Sequence, residues 1–76
     1  GIQAAFVLYE SNAMTAMSAR SMGNVNVQII MEALGGGGHH NMAGTQVNMD
    51  LDSAKKKLKE VLSENVDGYS ERVKEN

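Results

Sequence analysis

The sequence is organised around residues 35–44, which read GGGGHHNMAG and hold five of the eight glycines of the chain. Each glycine loses more backbone freedom on folding than any other residue, so a run of four is costly. Such a run is typical of places where the backbone takes positive φ, or where a ligand comes close to main-chain N–H groups. Two histidines follow directly and add proton donors and potential metal ligands. The stretch predicts a ligand-binding loop held by the rest of the chain.

The overall composition limits the kinds of protein that this chain can be. Its 76 residues allow one small domain. A formal net charge of −2 argues against a broad basic surface for duplex nucleic acid. The absence of cysteine excludes disulfides and cysteine zinc sites. No apolar run reaches the roughly 18 residues of a membrane span. Because the chain opens Gly-Ile-Gln without an initiator Met, we interpret it as a domain from a longer protein.

Two strands are predicted before the glycine run. Residues 2–9 (IQAAFVLY) form a short apolar run that predicts a buried strand, ending in a turn at residues 10–12. Residues 13–21 (AMTAMSARS) alternate weakly, which predicts a second strand in an antiparallel hairpin with the first; a helix is the alternative on propensity. Small residues in this second segment would let a loop or ligand lie close above the strand.

A helix is predicted between the second strand and the glycine run. Asn24 is the predicted N-cap, and Gly35 is predicted to end the helix in the αL conformation. The buried stripe is expected to comprise Val27, Ile30, Met31 and Leu34.

Further elements follow the glycine run. Residues 45–49 (TQVNM) alternate as a third strand, and residues 50–53 look like the N-terminus of a second helix. The apolar face of that helix is expected to comprise Leu51, Ala54, Leu58, Val61 and Leu62. Residues 65–76 allow a third helix. We therefore predict an α+β domain with a small, mostly antiparallel sheet of three to four strands packed against two or three helices.

The glycine run follows a helix, and this order restricts how it could bind an anion. A helix C-terminus is partly negative, and the Lys-Ser/Thr of a P-loop is absent, so a P-loop is excluded. Anion binding would require successive glycine N–H groups to form a nest, with Arg20 or His39 as the compensating cation. Arg20 precedes the N-terminus of the predicted helix, where the dipole favours anions. A helix of about ten residues spans about 15 Å, so Arg20 and the glycines are predicted to hold different parts of a dinucleotide-sized ligand.

Other polar residues near these positions have a functional and a structural interpretation. His39 either contacts phosphate or a base, or fixes the loop through a backbone carbonyl. Ser18 and Ser21 either bind a ligand or cap backbone groups, and Met42 is a candidate for packing on a base. No metal site is predicted, because adjacent histidines rarely converge on one ion and cysteine is absent.

The order of these motifs resembles a known family. The order of elements and motifs is similar to that of the C-terminal substrate-binding domain of DHH-family phosphoesterases, called the DHH-associated domain. This order is a strand, SARS at residues 18–21, a helix, GGGGH at residues 35–39 and a further strand. Together with NVNVQ at residues 24–28, these motifs most resemble the GdpP-type enzymes, membrane-anchored bacterial phosphodiesterases that hydrolyse cyclic di-AMP. The Ala43-Gly44 pair is instead similar to RecJ and nanoRNA-degrading relatives.

The resemblance implies that residues 1–76 form one substrate-binding domain of a larger hydrolase. No Asp-His-His motif occurs here, so the resemblance assigns the divalent metal, manganese, and all catalytic residues to a separate DHH domain. It implies a cytoplasmic domain of a membrane-anchored parent, with a cyclic dinucleotide or short oligonucleotide, the parent's DHH domain and a second copy as partners. The substrate-binding residues would be Ser18, Arg20, Ser21, Gly35, Gly36, Gly37, Gly38 and His39, with Asn24, His40 and Met42 as further candidates.

Two alternatives remain open from the sequence. One is a nucleic-acid-binding module of a RecJ-like exonuclease, a nanoRNase or an alanyl-tRNA synthetase. The acidic balance and scarce aromatic residues count against binding of long strands. The other is a structural or dimerisation domain, which leaves the glycine run unexplained.

Overall fold

A computed structural model describes residues 3–66 and shows one antiparallel sheet covered on one face by two helices. The elements are β1 Ala4–Ser11, β2 Met14–Ser21, α1 Val27–Ala33, β3 Gly37–Gly38, β4 Met42–Val47 and α2 Leu51–Asn65. The strand order is β1-β2-β4-β3, so β1 and β3 are the edge strands. The predicted α+β class is confirmed.

β1 and β2 form the predicted antiparallel hairpin, which rules out the helical alternative for residues 13–21. The two-residue loop has φ of 53° at Asn12 and 63° at Ala13, the pattern of a type I′ turn that matches strand twist. β1 is an edge strand whose Val7 and Tyr9 are 61% and 60% exposed, so the prediction of a buried strand is wrong. A continuous apolar run does not reveal whether one or both faces of a strand are covered.

α1 buries the predicted stripe but begins at a different cap. Val27, Ile30 and Met31 lie in the core. The Asn26 side chain, and not that of Asn24, accepts hydrogen bonds from the N–H groups of Gln28 (3.0 Å) and Ile29 (3.4 Å). The predicted N-cap at Asn24 is therefore wrong.

The glycine run ends α1 and then becomes a strand. Gly35 has φ of +89°, and its N–H donates to the Glu32 carbonyl at 3.0 Å. The N–H of Gly36 donates to the Met31 carbonyl at 2.8 Å, which completes a Schellman motif. The predicted αL cap at Gly35 is confirmed. Gly37 and Gly38 then pair with β4, which begins at Met42 where the sequence predicted a strand from residue 45.

The core lies between the helices and one face of the sheet. Along β2 the buried residues alternate as Thr15, Met17 and Ala19. The buried residues of α2 are Ala54, Leu58, Val61 and Leu62, while Leu51 is half-buried. The predicted third helix falls mainly on residues 67–76, outside the described part of the chain. Between residues 3 and 66, no helix is long and apolar enough to cross a membrane.

Candidate functional site

The sheet face away from the helices carries a shallow depression over β1, β2 and the start of β4. No helix among residues 3–66 packs on this face, and the β2 residues that alternate with the core, Ser18 and Arg20, are exposed. The depression has a volume of about 290 Å³ and its lining residues are Ala5, Val7, Ser18, Ala19, Arg20, Met22 and Met42. We call this surface the open face.

One row of residues across the open face consists of small side chains. Ser18 on β2 pairs with Gly44 on β4, and Gly44 pairs with Gly37 on β3. Paired residues of antiparallel strands present the same face, so the row runs across three strands. Neither glycine has a side chain, and the row therefore forms a flat floor where a ligand can approach the backbone.

The neighbouring row of residues across the open face contains the positively charged Arg20. Arg20 pairs with Met42. Met42 in turn lies opposite His39, since the N–H of each donates to the carbonyl of the other at 2.7 and 3.3 Å. Two strand spacings separate Arg20 from His39, a backbone distance of about 10 Å. The sequence analysis expected α1 to separate Arg20 from the glycines. That expectation is wrong, because both lie on one sheet with β4 between them.

Arg20 is exposed on the open face. Within residues 3–66, no ion pair joins Arg20 to a carboxylate. A guanidinium presents a fork of donors that matches phosphate or carboxylate oxygens. Arg20 is therefore free to bind an anion on the open face.

The four glycines differ in why the fold needs them. A Cβ at Gly36 would collide with the Gly44 carbonyl oxygen and the Thr45 side chain. Gly38 has φ of +145°, and a Cβ there would lie 2.6 Å from the Met42 carbonyl oxygen. Gly37 has no such constraint, since nothing lies within 4 Å of an added Cβ. The fold requires a glycine at positions 35, 36 and 38. Its packing does not require a glycine at position 37.

The glycine amides do not converge as a nest. The N–H groups of Gly35 and Gly36 donate to carbonyls of α1. His39 and Met42 exchange hydrogen bonds. Hydrogen-bonded and non-hydrogen-bonded pairs alternate along an antiparallel ladder, so the next hydrogen-bonded pair is Gly37 with Gly44. Gly38 belongs to the pair between them and directs its N–H away from β4. A ligand at this edge would meet the single amide of Gly38, together with the bare backbone of Gly37.

Both ends of α1 are satisfied internally. At the N-terminus, the His40 carbonyl accepts from Val27 N–H at 3.1 Å, and Asn26 caps the next two amides. The first-turn amides expected to favour an anion near Arg20 are therefore occupied. At the C-terminus, the Thr45 hydroxyl donates to the Leu34 carbonyl at 3.1 Å, so no external cation is needed there.

The remaining candidates divide by whether they have internal partners. The hydroxyl of Ser21 donates to the Gly23 carbonyl at 3.1 Å, and the backbone N–H of Asn24 donates to Gln3 Oε1 at 3.4 Å. These contacts give both residues a place in the turn between β2 and α1. His39 and His40 are exposed. The structure brings Ser18, Arg20 and Met42 together in the depression, and Gly37 lies on the same face of the sheet two strands from β2.

Sequence reasoning missed the apolar part of the depression. Val7 and Met22 line it and are 61% and 55% exposed. Val7 belongs to the segment predicted as a buried strand, and Met22 is not among the predicted site residues. The alternation of Phe6 and Leu8 with Val7 and Tyr9 marks the two faces of β1, but all four are apolar or aromatic, so the sequence gives no signal for which pair is exposed.

The described residues do not fit a metal centre. Among residues 3–66, no group of three or more His, Cys, Asp or Glu side chains is arranged to hold a metal ion. His39 and His40 are adjacent in the chain and lie on an exposed turn.

Comparison with known proteins identifies relatives of this chain. The sequence profile of the DHHA1 domain matches residues 1–64. The cyclic-di-AMP phosphodiesterase PdeA of Listeria monocytogenes is 47% identical over 60 residues, covering 76% of this chain and 9% of that protein. The cyclic-di-AMP phosphodiesterase GdpP of Bacillus subtilis is 42% identical over 73 residues, covering 93% of this chain and 11% of the relative. GdpP of Geobacillus thermodenitrificans is 40% identical over 70 residues, with 90% and 11% coverage. The chain thus spans 9–11% of the length of these relatives.

Proposed function

This chain belongs to the DHHA1 domain family, and we propose that it recognises the substrate for a DHH-family phosphodiesterase that hydrolyses cyclic di-AMP. The observation that carries the proposal is Gly37. The fold does not need a glycine there, yet a side chain at this position would stand on the flat row of Ser18, Gly44 and Gly37, two strands from Arg20. The names of the three relatives, all cyclic-di-AMP phosphodiesterases, support this substrate.

The charge on the open face suits a small anionic ligand. Arg20 supplies the donors for one phosphate, and the Gly38 N–H at the sheet edge supplies another donor about 10 Å away by strand spacing. Between them lies the flat row of Ser18, Gly44 and Gly37. A ligand with two phosphates separated by nucleoside units fits this spacing. Arg20 would hold one phosphate of such a ligand and the glycine strand would hold the other.

The apolar part of the depression suits a base. Met42 and Met22 are 51% and 55% exposed, and methionine side chains adapt to flat ring surfaces. Long single strands are usually held by many cations and aromatic platforms. Within the lining of the depression, Arg20 is the one cation and no aromatic residue occurs. This composition favours a dinucleotide over an extended strand.

Hydrolysis itself is assigned to the DHH domain of the parent protein in this proposal. The described residues of this chain do not form a metal-binding group. The divalent metal that the family resemblance implies, manganese, would reside in that domain. The cytoplasmic location and the membrane-anchored parent stay predictions from the resemblance. Self-association also stays a prediction, and sedimentation equilibrium of the 76-residue chain would test it.

The proposal is tested by titrating the isotope-labelled chain in NMR with cyclic di-AMP, its linear dinucleotide and a short single-stranded oligonucleotide. We expect the largest shifts with a dinucleotide, at Ser18, Arg20, Gly37, Gly38 and His39. Larger and more widespread shifts with the oligonucleotide would favour the exonuclease, nanoRNase or synthetase alternative. Cyclic di-AMP at millimolar concentration without shifts would contradict recognition by this domain.

The charge contribution is tested by Arg20→Ala. Losing a charge-assisted hydrogen bond of about 1.5–3 kcal/mol should weaken cyclic di-AMP binding roughly 10- to 100-fold. Lys56→Ala is the matched control, because Lys56 is an exposed cation on α2, which covers the opposite face. Equal losses in both variants would mean that Arg20 contributes only through net charge. An unchanged affinity in Arg20→Ala would remove Arg20 from the site.

A further inference from the structure

We propose that Met42 is an oxidation-sensitive residue of the open face, whose sulfoxide captures Arg20 and weakens anion binding. Peroxide is the oxidant. The effect on ligand affinity rests on the proposed function. The contact between the oxidised Met42 and Arg20 does not depend on the proposed function, because it follows from the strand register alone.

The register makes Met42 and Arg20 close neighbours. Met42 exchanges hydrogen bonds with His39 on its β3 side, so its pairing with Arg20 on the β2 side is of the non-hydrogen-bonded kind. The bond from Ser21 N–H to the Asn41 carbonyl, 2.9 Å, has the position that this kind of pair requires. Such pairs bring their Cα atoms to about 4.5 Å and their side chains closest together. A polar atom on Met42 is therefore within reach of the long Arg20 side chain.

Accessibility selects which methionines react. The chain has six methionines and no cysteine, so thioethers are its only sulfur groups. Met22 and Met42 are 55% and 51% exposed, while Met17 and Met31 are 3% and 0% exposed. Oxidation follows exposure, and the two exposed methionines both line the depression. The reactive sulfur atoms are thus concentrated at the site, and the core sulfur atoms are protected.

The chemical step transfers one oxygen atom. The sulfur lone pair of Met42 attacks a peroxide oxygen, the O–O bond breaks, and the products are methionine sulfoxide and water. Sulfur is oxidised by two electrons and the peroxide is reduced by two. Methionine sulfoxide reductases reverse the step, so the modification can act reversibly.

The sulfoxide changes the chemistry of the pair. An apolar thioether becomes a polar group with a strongly accepting oxygen, next to a guanidinium that has no ion-pair partner within residues 3–66. Arg20 would donate to this oxygen and would be less available to a phosphate. Met22 is equally exposed but lies beyond the end of β2, without a cross-strand pairing to Arg20.

The first experiment needs no ligand. The full chain is treated with dilute hydrogen peroxide, and peptide mass spectrometry follows each methionine over time. We expect Met22 and Met42 to oxidise at least 10-fold faster than Met17 and Met31. The Arg20 Nε–Hε signal in NMR should shift in step with oxidation of Met42, and this shift should be absent in Met42→Leu but present in Met22→Leu. A shift that survives in Met42→Leu, or no shift in the wild-type chain, overturns the proposal.

The second experiment measures cyclic di-AMP binding before and after treatment, with each variant compared with its own untreated form. We expect roughly a 10-fold loss for the wild-type chain and for Met22→Leu, restored by methionine sulfoxide reductase, and a clearly smaller loss for Met42→Leu, in which only Met22 is oxidised in the depression. If untreated protein binds and oxidation leaves its affinity unchanged, this inference fails while the proposed function stands. If untreated protein does not bind cyclic di-AMP, the proposed function fails, and the Arg20 signal alone decides the Met42 contact.

Discussion

The two faces of the sheet are formed by alternate residues of the same strands, but packing explains the residues of only one face. On the covered face, Met17 and Ala19 are 3% and 1% exposed, and packing against the helices accounts for their size. On the open face, Ser18 and Arg20 are exposed, and their side chains make no hydrogen bond or ion pair within residues 3–66. The comparison teaches that the residues left unexplained by the fold are the ones to consider for binding.

The largest effect should come from exchanging the same residue type on the two faces. Met17→Ala removes a buried side chain and should lower the free energy of unfolding by about 3 kcal/mol. Met42→Ala, at a half-exposed position, should change it by less than about 0.5 kcal/mol. Urea denaturation measures both. A large loss in Met42→Ala would mean that the open face is part of the stabilising core, and the contrast between the faces would fail.

A second pair of variants tests neighbouring glycines. Gly36→Ala forces a methyl group into the Gly44 carbonyl and Thr45, so we expect a loss of about 2 kcal/mol in unfolding free energy. Gly37→Ala points its methyl group into open space and should stay within about 0.5 kcal/mol. The same denaturation series gives both values.

Binding separates these two glycines further. Because the Gly37 methyl group would stand on the flat row that Gly37 forms with Gly44 and Ser18, Gly37→Ala should weaken cyclic di-AMP binding while leaving stability intact. If Gly37→Ala bound cyclic di-AMP normally, the absence of a side chain at position 37 would not be needed for ligand binding. The main support for the proposed function would then be lost.

A smaller effect distinguishes two asparagines near the start of α1. Asn26→Ala removes the side chain that caps the first turn and should cost about 1 kcal/mol. Asn24→Ala should cost less than about 0.5 kcal/mol, because Asn24 is joined to Gln3 through its backbone N–H. Thermal unfolding of the two variants provides the measurement, and equal costs would restore Asn24 as a capping residue.

The sequence predicted the parts of the fold that depend on local patterns. The hairpin followed from a short apolar run and a weakly alternating run on either side of a turn, and the stripe of α1 followed from its helical spacing. The αL cap at Gly35 followed from a glycine placed directly after the last apolar residue. Each of these signals lies within a few residues of the feature that it specifies.

The missed features depend on contacts distant in sequence. The start of α1 is fixed partly by the His40 carbonyl, which no pattern around residues 24–26 reveals. β1 became an edge strand because β4 pairs with β2, and Val7 lies on the open face because it pairs with Ser18. For the site, the sequence singled out Arg20 and the glycines, but their juxtaposition across β4 required the register.

Residues 36–40, which include β3 and the start of the turn to β4, hold α1 at both of its ends, through the Gly36 N–H and the His40 carbonyl. A helix of seven residues is too short to persist alone in water. Its formation is therefore tied to that of the glycine strand, and the two should unfold as one cooperative unit. In hydrogen exchange, the amides of Val27 and Gly36 should open with the same free energy although they lie on different elements. A ligand that holds the glycine strand in place would then slow exchange throughout the helix on the opposite layer.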